Sequence, residues 1–482
     1  MTKRPKLFLC ALTLLLATAM LPARPKAREN VGIWWLETHF QLLDSVSKAI
    51  HAFAEPGYQE YKSSALLISV LEENGFTVEK GVAGIPTAFV ATFGAGQPVI
   101  GVLAEYDALP GLSQAAVPYR QPVVEDGYGH GCGHNLLGAG SLAAALAISK
   151  WLALGNPGTV KLFGCPAEEG GGAKNYMVRD GVFDGLDAAF IWHPGARNRT
   201  NLNSGSATLT IDFTFRGISA HAGAQPWNGR SAFDAVEALD YMTNLMREHV
   251  RPETRIHYAV TRTNPAPNVV PDLAVVRYYI RHPEVDYMKE VTQRVIKAAE
   301  GAALGTGTTM TYELLNGNYP VLANSVLCDI VCKKQNEVGG VLLDDAEKDF
   351  CREILKNSGR DPEDFGNFAE VAKEVSPNRP LGSGSDAGSV SFVAPTAKLY
   401  VASCTLGASG HCWQQVAVGG TTIGTKAVVN VGKIYYLTAL ELFKKPELLK
   451  AAREEFLQAR GKDFVYESLV GDRKPPLDYR KQ

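Results

Sequence analysis

Gly129-His130-Gly131-Cys132-Gly133-His134-Asn135 leads directly into an apolar stretch at 136–154 that has the periodicity of a helix. The seven residues contain three side chains that can bind a metal ion, two from histidine and one from cysteine. Glycines between them allow a tight turn, and Asn135 is a suitable N-cap for the helix that follows. The stretch therefore predicts a long helix that directly follows a loop of metal ligands.

Alternating strands and helices are predicted around this helix. The strands are expected at 88–93, 98–104, 160–165, 188–192 and 397–402, and further helices at 60–74 and 425–443. The continuously apolar run at 98–104 is typical of a strand that helices cover on both faces. The alternation indicates an α/β fold with a mostly parallel central sheet covered by helices. Polar residues that follow such strands meet at the carboxyl rim of the sheet.

The pattern changes near Gly205. Half-exposed strands are predicted at 208–216, 273–281 and 308–314, with helices at 232–249 and 285–301. These elements indicate a smaller α+β unit inserted into the α/β fold. The expected organisation is a signal peptide at 1–27, a catalytic domain in two parts at 28–204 and 317–482, and an inserted domain at 205–316.

The composition is that of an ordinary globular protein. A length of 482 residues exceeds what one core usually supports, so two or three structural units are expected. Hydrophobic residues make up 46% of the chain, and the formal net charge is -2. Since no basic tract is present to neutralise phosphates, nucleic-acid binding is not expected.

The N-terminus has the pattern of an export signal. Three basic residues among the first six precede an apolar run at 7–21, which Pro22 ends. Because the run is short for a membrane-spanning helix, we expect a cleaved signal peptide, a periplasmic or secreted protein and no stable membrane span. The alternative is an uncleaved N-terminal anchor. Eight scattered cysteines do not form a disulfide framework, although a single pair such as Cys404 with Cys412 stays open.

Further metal-ligand types recur where predicted strands end. They are Glu168 and Glu169 after the strand at 160–165, His193 after the next strand, and His411 near the end of the chain. A structural zinc knuckle would use closely spaced cysteines and histidines, whereas these ligands are dispersed and include carboxylates. The pattern favours a catalytic metal site over surface loops with structural histidines. His130 ranks behind Cys132 and His134 as a ligand.

The neighbours Glu168 and Glu169 suit two different roles. One carboxylate can bind a metal while the other accepts a proton from metal-bound water, whose acidity the cation increases. Two rival hypotheses use a nucleophile instead, either Cys132 with His134 or Ser385. The Cys132 and His134 side chains, two residues apart in one turn, are poorly placed for proton relay. Ser385 lacks the strand-to-helix spacing of a hydrolase nucleophile.

Several motifs, in the same order along the chain, resemble those of the di-metal aminoacylase and carboxypeptidase family. They lie at 106–114, 129–138, 165–170, 192–194, 217–222, 268–271, 385–388 and 411–414. The resemblance covers roughly residues 35–443. It implies a zinc-peptidase-like catalytic domain whose insertion serves as a lid and a dimerisation domain.

The resemblance also implies a set of metal ligands. Two divalent ions per subunit, manganese or zinc, would be bound by Cys132, His134, Glu169, His193 and His411. Glu168 matches the general base, and Asp107 matches the acid that orients a metal-binding side chain. Cys132 stands where most relatives have a bridging aspartate, and Glu105 stands where many have a metal-binding histidine.

In this family the lid contributes to the active site across a dimer. The resemblance therefore implies a homodimer in which His221 reaches the partner's site and stabilises the oxyanion, while Asn268 and Arg281 meet the carboxylate of the substrate. Donors aimed at developing charge in a closed site stabilise a transition state strongly.

The expected function is metal-dependent hydrolysis of the amide bond of an N-acyl amino acid, with p-aminobenzoyl-glutamate or a related dipeptide as the small-molecule substrate. One alternative is a broad-specificity metallo-dipeptidase or aminoacylase. Another is a protein that binds N-acyl amino acids without turnover. A glutamate side chain in the substrate would require an extra cation in the pocket.

Overall fold

The computed structural model describes residues 29–264, 266–380, 384–408 and 410–480. The strands are β1 Thr77–Lys80, β2 Phe89–Ala95, β3 Val99–Ala104, β4 Gly158–Gly164, β5 Ala188–Gly195, β6 Ala207–Arg216, β7 Arg255–Arg262, β8 Leu273–His282, β9 Thr309–Asn318 and β10 Thr396–Ala402. The predicted signal peptide at 1–27 lies outside the described residues.

Helices cover more of the described chain than strands do. They are α1 Val31–Thr38, α2 Phe40–Phe53, α3 Tyr61–Glu73, α4 His134–Leu152, α5 Ala173–Arg179, α6 Ala232–Met246, α7 Val285–Thr306, α8 Ser325–Val338, α9 Asp345–Asn357, α10 Ala387–Ser391, α11 Trp413–Gly419, α12 Thr422–Lys444 and α13 Pro446–Arg460. Short 3-10 turns lie at Val82–Gly84, Pro226–Asn228 and Arg247–His249. The turn Arg247–His249 directly follows α6, and together they cover the range 232–249 that was predicted as one helix.

A six-stranded sheet forms the centre of the larger unit. Its strand order is β1-β2-β4-β3-β5-β10. The pairs β4 with β3, β3 with β5 and β5 with β10 are parallel, whereas β1 with β2 and β2 with β4 are antiparallel. The α/β class is confirmed, and the sheet is parallel in the half that positions the polar residues. One edge is antiparallel because β1 and β2 form a hairpin.

Helix α4 is the main core helix of this unit. Nearly all of its residues are buried, and α12 packs alongside it. Its small residues allow close packing: a Cβ placed on Gly140 would lie 2.6 Å from Cζ2 of Trp192 on β5. Within the described chain only α4 is long and apolar enough to cross a membrane, but 94% of that window is buried inside the protein. The helix begins at His134 with Gly133 as N-cap, so the prediction that Asn135 caps it was wrong.

A second sheet holds β6 to β9. Its order is β7-β8-β6-β9, and all its pairs are antiparallel. Burial alternates along β8 and along the second half of β6, and the buried residues of both strands pack against α6 and α7. This arrangement follows from the period-two pattern in the sequence, because alternate side chains of a strand point to opposite faces.

None of the cysteines in the described chain forms a disulfide. Cys404 is buried, and Cys412 is partly exposed. The pairing left open for them is not present in the structure. Most of the other cysteines are buried and fill the core as small hydrophobic side chains.

Candidate metal centre

The polar residues predicted at strand ends do converge on one rim of the central sheet. Glu105 follows β3, and Glu168 with Glu169 follows β4. His193 lies inside β5, near its carboxyl end, rather than after it. These side chains line one cavity, because parallel neighbouring strands end on the same side of the sheet.

The loop before α4 brings Cys132 and His134 to the same rim. Gly133, between them, has a left-handed backbone with φ 77°. A Cβ at this position would lie 2.9 Å from side-chain atoms of Pro194 and Gln415. Glycine is required here both for the backbone angle and for the close approach.

All five predicted metal ligands meet, in two groups that share one thiol. The first group is Cys132, His134 and His193, and the second is Cys132, Glu169 and His411. Within each group the candidate ligand atoms lie within 4.8 Å of one another. Sγ of Cys132 lies 3.2 Å from Nε2 of His193, and Nε2 of His411 lies 3.0 Å from Oε1 of Glu169. Cys132 is therefore placed between two potential metal positions.

The atoms at this centre fit divalent cations. Nε2 of His134 and Oε1 of Glu169 are buried, and their close polar neighbours are other candidate ligands, Oε2 of Glu105 at 3.3 Å and Nε2 of His411 at 3.0 Å. An ion bound between such groups would satisfy these buried atoms. Ligand bonds of about 2.0–2.3 Å in a tetrahedral site separate neighbouring ligand atoms by roughly 3.5 Å, close to the distances between these side chains. Sulfur, nitrogen and oxygen together suit zinc or manganese.

Asp107 contacts two of the candidate ligands from behind. Its Oδ1 lies 2.8 Å from Nδ1 of His134, and its Oδ2 accepts a hydrogen bond of 3.0 Å from the backbone N–H of Glu169. Burial favours a neutral acid, but the attraction of His134 outweighs it and lowers the pKa of Asp107 to about 2. A buried carboxylate that holds the far nitrogen of a ligand histidine fixes the tautomer and the ring orientation.

Glu168 lines the cavity beside the two groups, and with Glu105 and His134 it forms a third set of atoms close enough to hold an ion. Burial, with the repulsion of Glu105 and Glu169, raises the pKa of Glu168 well above its usual range. A carboxyl group that readily takes up a proton suits a general base that must also act as an acid. The preceding residue, Ala167, has a left-handed φ of 51°, and its backbone N–H donates a 2.8 Å hydrogen bond to the buried carboxylate of Glu60.

Sequence reasoning missed an ion cluster directly beneath this centre. Lys174, on α5, has no exposed surface; its Nζ lies 2.7 Å from Oε1 of Glu105 and 2.6 Å from Oδ1 of Asp386. The second carboxylate oxygen of Glu105 lies 3.3 Å from Nε2 of His134. The lysine lies in the first turn of a helix that follows the Glu168 loop, but no local pattern in the sequence links it to Asp386.

The residues expected to act from the inserted unit do not meet the metal ligands within one chain. His221 and Asn268 are exposed and adjacent: the backbone N–H of Ala222 donates a 3.0 Å hydrogen bond to the carbonyl of Asn268. Arg281 lies on β8, and its Nε is buried without a hydrogen-bond partner. None of the three lines the cavity at the centre.

The contacts of His130 and Ser385 do not support the rival roles of metal ligand and nucleophile. His130 is buried, and its Nε2 lies 3.0 Å from the carbonyl oxygen of Ile50, so it holds the loop rather than joining the ligand groups. Burial lowers the pKa of His130 to about 3. Ser385 lines the cavity, but its Oγ accepts a hydrogen bond from the backbone of Ala387, and no histidine bonds to it among the described residues.

A known protein family matches slightly more than half of the chain. Residues 101–351 match the model of peptidase family M20/M25/M40. The chain is 37% identical over 450 residues to the B subunit of p-aminobenzoyl-glutamate hydrolase from Escherichia coli, covering 88% of this chain and 93% of that protein. It is 28% identical over 428 residues to Xaa-Arg dipeptidase from Mus musculus, covering 86% and 88%.

A solved structure has a similar fold. It is a dinuclear metal-binding peptidase of the M20 family from Bacillus subtilis, with a TM-score of 0.55 and 17% sequence identity. The match covers 83% of this chain and 98% of that one. At this level of identity the likeness concerns the fold alone.

Proposed function

This chain belongs to peptidase family M20/M25/M40 and is a hydrolase of amide bonds, and we propose that it is a metal-dependent enzyme that cleaves N-acyl amino acids. Its substrate is p-aminobenzoyl-glutamate or a related dipeptide. The observation that carries this proposal is the meeting of five dispersed ligands in two groups around one thiol, beside a second glutamate.

Each side chain of the site has its own role in hydrolysis. Cys132, His134, His193, Glu169 and His411 would hold two divalent cations, manganese or zinc. Such ions, when bound, polarise the carbonyl of the substrate and increase the acidity of water. Glu168 accepts the proton of the attacking water and passes it to the leaving amine. Asp107 keeps His134 and the Glu169 backbone in position through its two hydrogen bonds.

The inserted unit at 205–316 completes the site as a lid across a homodimer. His221 is exposed and outside the cavity of its own chain; in a homodimer it would reach the site of the second copy and support the oxyanion there. Apolar side chains near it are exposed, Trp227 to 70% and Ile218 to 55%. Contact with a second copy would cover this apolar surface.

Hydrolysis is tested by incubating the purified protein with manganese or zinc and p-aminobenzoyl-glutamate, and by measuring the released glutamate. Glu168→Gln should keep its metal content and lose at least about 100-fold in turnover, the usual contribution of a general base. Glu353→Gln, the same change on the exposed surface of α9, is the control. Full activity of Glu168→Gln would remove it as the base. Binding without turnover by the unaltered protein would instead support the binding-protein alternative.

The broader alternative is a dipeptidase or aminoacylase that uses the same centre. A panel of N-acyl glutamates and neutral dipeptides separates it from the narrower proposal. Export of the protein remains a proposal from residues 1–27, and cell fractionation tests it.

A further inference from the structure

The cavity at the candidate metal centre extends beyond the ligands and is lined by side chains of both charges. Its volume is about 340 Å³, within the range of small-molecule sites. Glu105, Glu168 and Glu169 line it together with the candidate metal ligands. Lys398 and Arg379 are the basic residues in its wall apart from histidines.

Lys398 is a buried cation that has no carboxylate partner in the described chain. It lies on β10 with 8% of its surface exposed. Its Nζ donates one hydrogen bond, to the backbone oxygen of Asn203, although an ammonium group has three donors. A buried charge is costly unless it is paired, so an anion entering this cavity would be bound favourably.

A second basic residue, Arg379, also forms a hydrogen bond with Asn203. The backbone N–H of Arg379 donates a 2.9 Å hydrogen bond to Oδ1 of Asn203, so Asn203 joins the two basic residues. The guanidinium of Arg379 makes no ion pair within the described residues. Both Lys398 and Arg199 contact the ring of Tyr400: Nζ of Lys398 lies 5.9 Å from the ring centroid, and the guanidinium of Arg199 lies 5.2 Å from it.

The register of the sheet places the backbone of Lys398 close to the row of a candidate metal ligand. On β10, Tyr400 is paired with His193 of β5, and Lys398 is paired with Ile191. Two residues along a strand correspond to roughly 6.6 Å between Cα atoms. In an N-acyl glutamate, five bonds of about 1.5 Å join the scissile carbonyl carbon to the side-chain carboxyl carbon, which spans roughly 6 Å when extended. The reach of the substrate is therefore of the same order as the backbone spacing between the two rows.

We infer that Lys398, with Arg379, forms a subsite for the side-chain carboxylate of an acidic amino acid in the substrate, which makes the enzyme selective for N-acyl glutamates over neutral N-acyl amino acids. The inference rests on the proposed function and extends it to the substrate class. It assigns these two residues to specificity, apart from the residues that bind metal or move protons.

The test compares two substrates that differ only in this charge, p-aminobenzoyl-L-glutamate and p-aminobenzoyl-L-glutamine. The unaltered enzyme should prefer the glutamate compound by at least tenfold in kcat/KM. Lys398→Met should lower kcat/KM for that compound by about 10- to 100-fold, mainly through KM, as expected for a lost charge-assisted contact. It should change the glutamine compound by less than twofold. Lys398→Arg should restore part of the preference, and Lys333→Met, on the exposed face of α8, should match the unaltered enzyme.

An equal loss for both substrates, or no preference in the unaltered enzyme, would overturn the inference. Calorimetric titration of the metal-free protein with L-glutamate and L-glutamine gives a readout without catalysis. Tighter binding of glutamate that Lys398→Met removes supports the subsite even if neither compound is cleaved, in which case only the proposed function fails; equal binding of both amino acids counts against the subsite. If Lys398→Met does not fold, Arg379→Gln in the same two assays decides, since its side chain is exposed.

Discussion

Lys174→Met should strongly destabilise the protein. The lysine is fully buried, and its Nζ lies 2.7 Å from Glu105 and 2.6 Å from Asp386, which is itself fully buried. Without the ammonium group, the carboxylates of Glu105 and Asp386 face each other and Glu168, and no cation lies between the three groups. Breaking a buried pair from one side costs about 3–5 kcal/mol, a large part of a total stability of about 5–15 kcal/mol.

The assay is urea unfolding of the metal-free protein, so that lost metal binding does not add to the effect. Lys348→Met is the matched control, because Lys348 pairs at 2.9 Å with Asp345 on the surface and such pairs contribute about 0–1 kcal/mol. The double variant Lys174→Met with Asp386→Leu should recover at least half of the loss, since it removes one of the unpaired charges. A loss for Lys174→Met no larger than that of the control would refute the reasoning.

Two further predictions concern pH and assembly. Burial, reinforced by Arg199 and opposed by Cys328, lowers the pKa of Lys398 to about 8. The ammonium is therefore charged below that pH and neutral above it, so KM for p-aminobenzoyl-glutamate should rise above pH 8 while KM for the glutamine compound stays level; an equal rise would contradict this. Mixing His221→Ala with Glu168→Gln under subunit exchange should restore about a quarter of the unaltered activity, because half of the random dimers are hybrids and each holds one intact site. No recovery would exclude sharing of His221 between subunits.

The convergence of the candidate metal ligands on one rim could be predicted because its signals are local. Each of Glu105, Glu168 and His193 lies at or just beyond the end of an apolar strand, and parallel strands end on the same edge of a sheet. The Gly-rich loop before α4 carried its own signal in the spacing of Cys132 and His134. Long apolar helices and strands were also found near their observed positions, since their periods of 3.6 and 2 residues appear directly in the sequence.

The pairing of Lys174 with Asp386 and the position of Lys398 carried no comparable signal. Lys174 and Asp386 are far apart along the chain, and nothing local in the sequence links them. Lys398 lies in an apolar strand, where a lysine commonly extends its amine to solvent. Only the observed strand order shows that this lysine faces the cavity instead.

The sequence by itself determined the α/β class, the ligand types and the rim on which they lie, because these depend on neighbours along the chain. The tertiary structure decided which distant side chains face one another. By placing β10 beside β5, it set Lys398 two positions from the row of His193, and it left His221 outside the site of its own chain. Separation along a sequence does not specify distance in space; strand order and packing do.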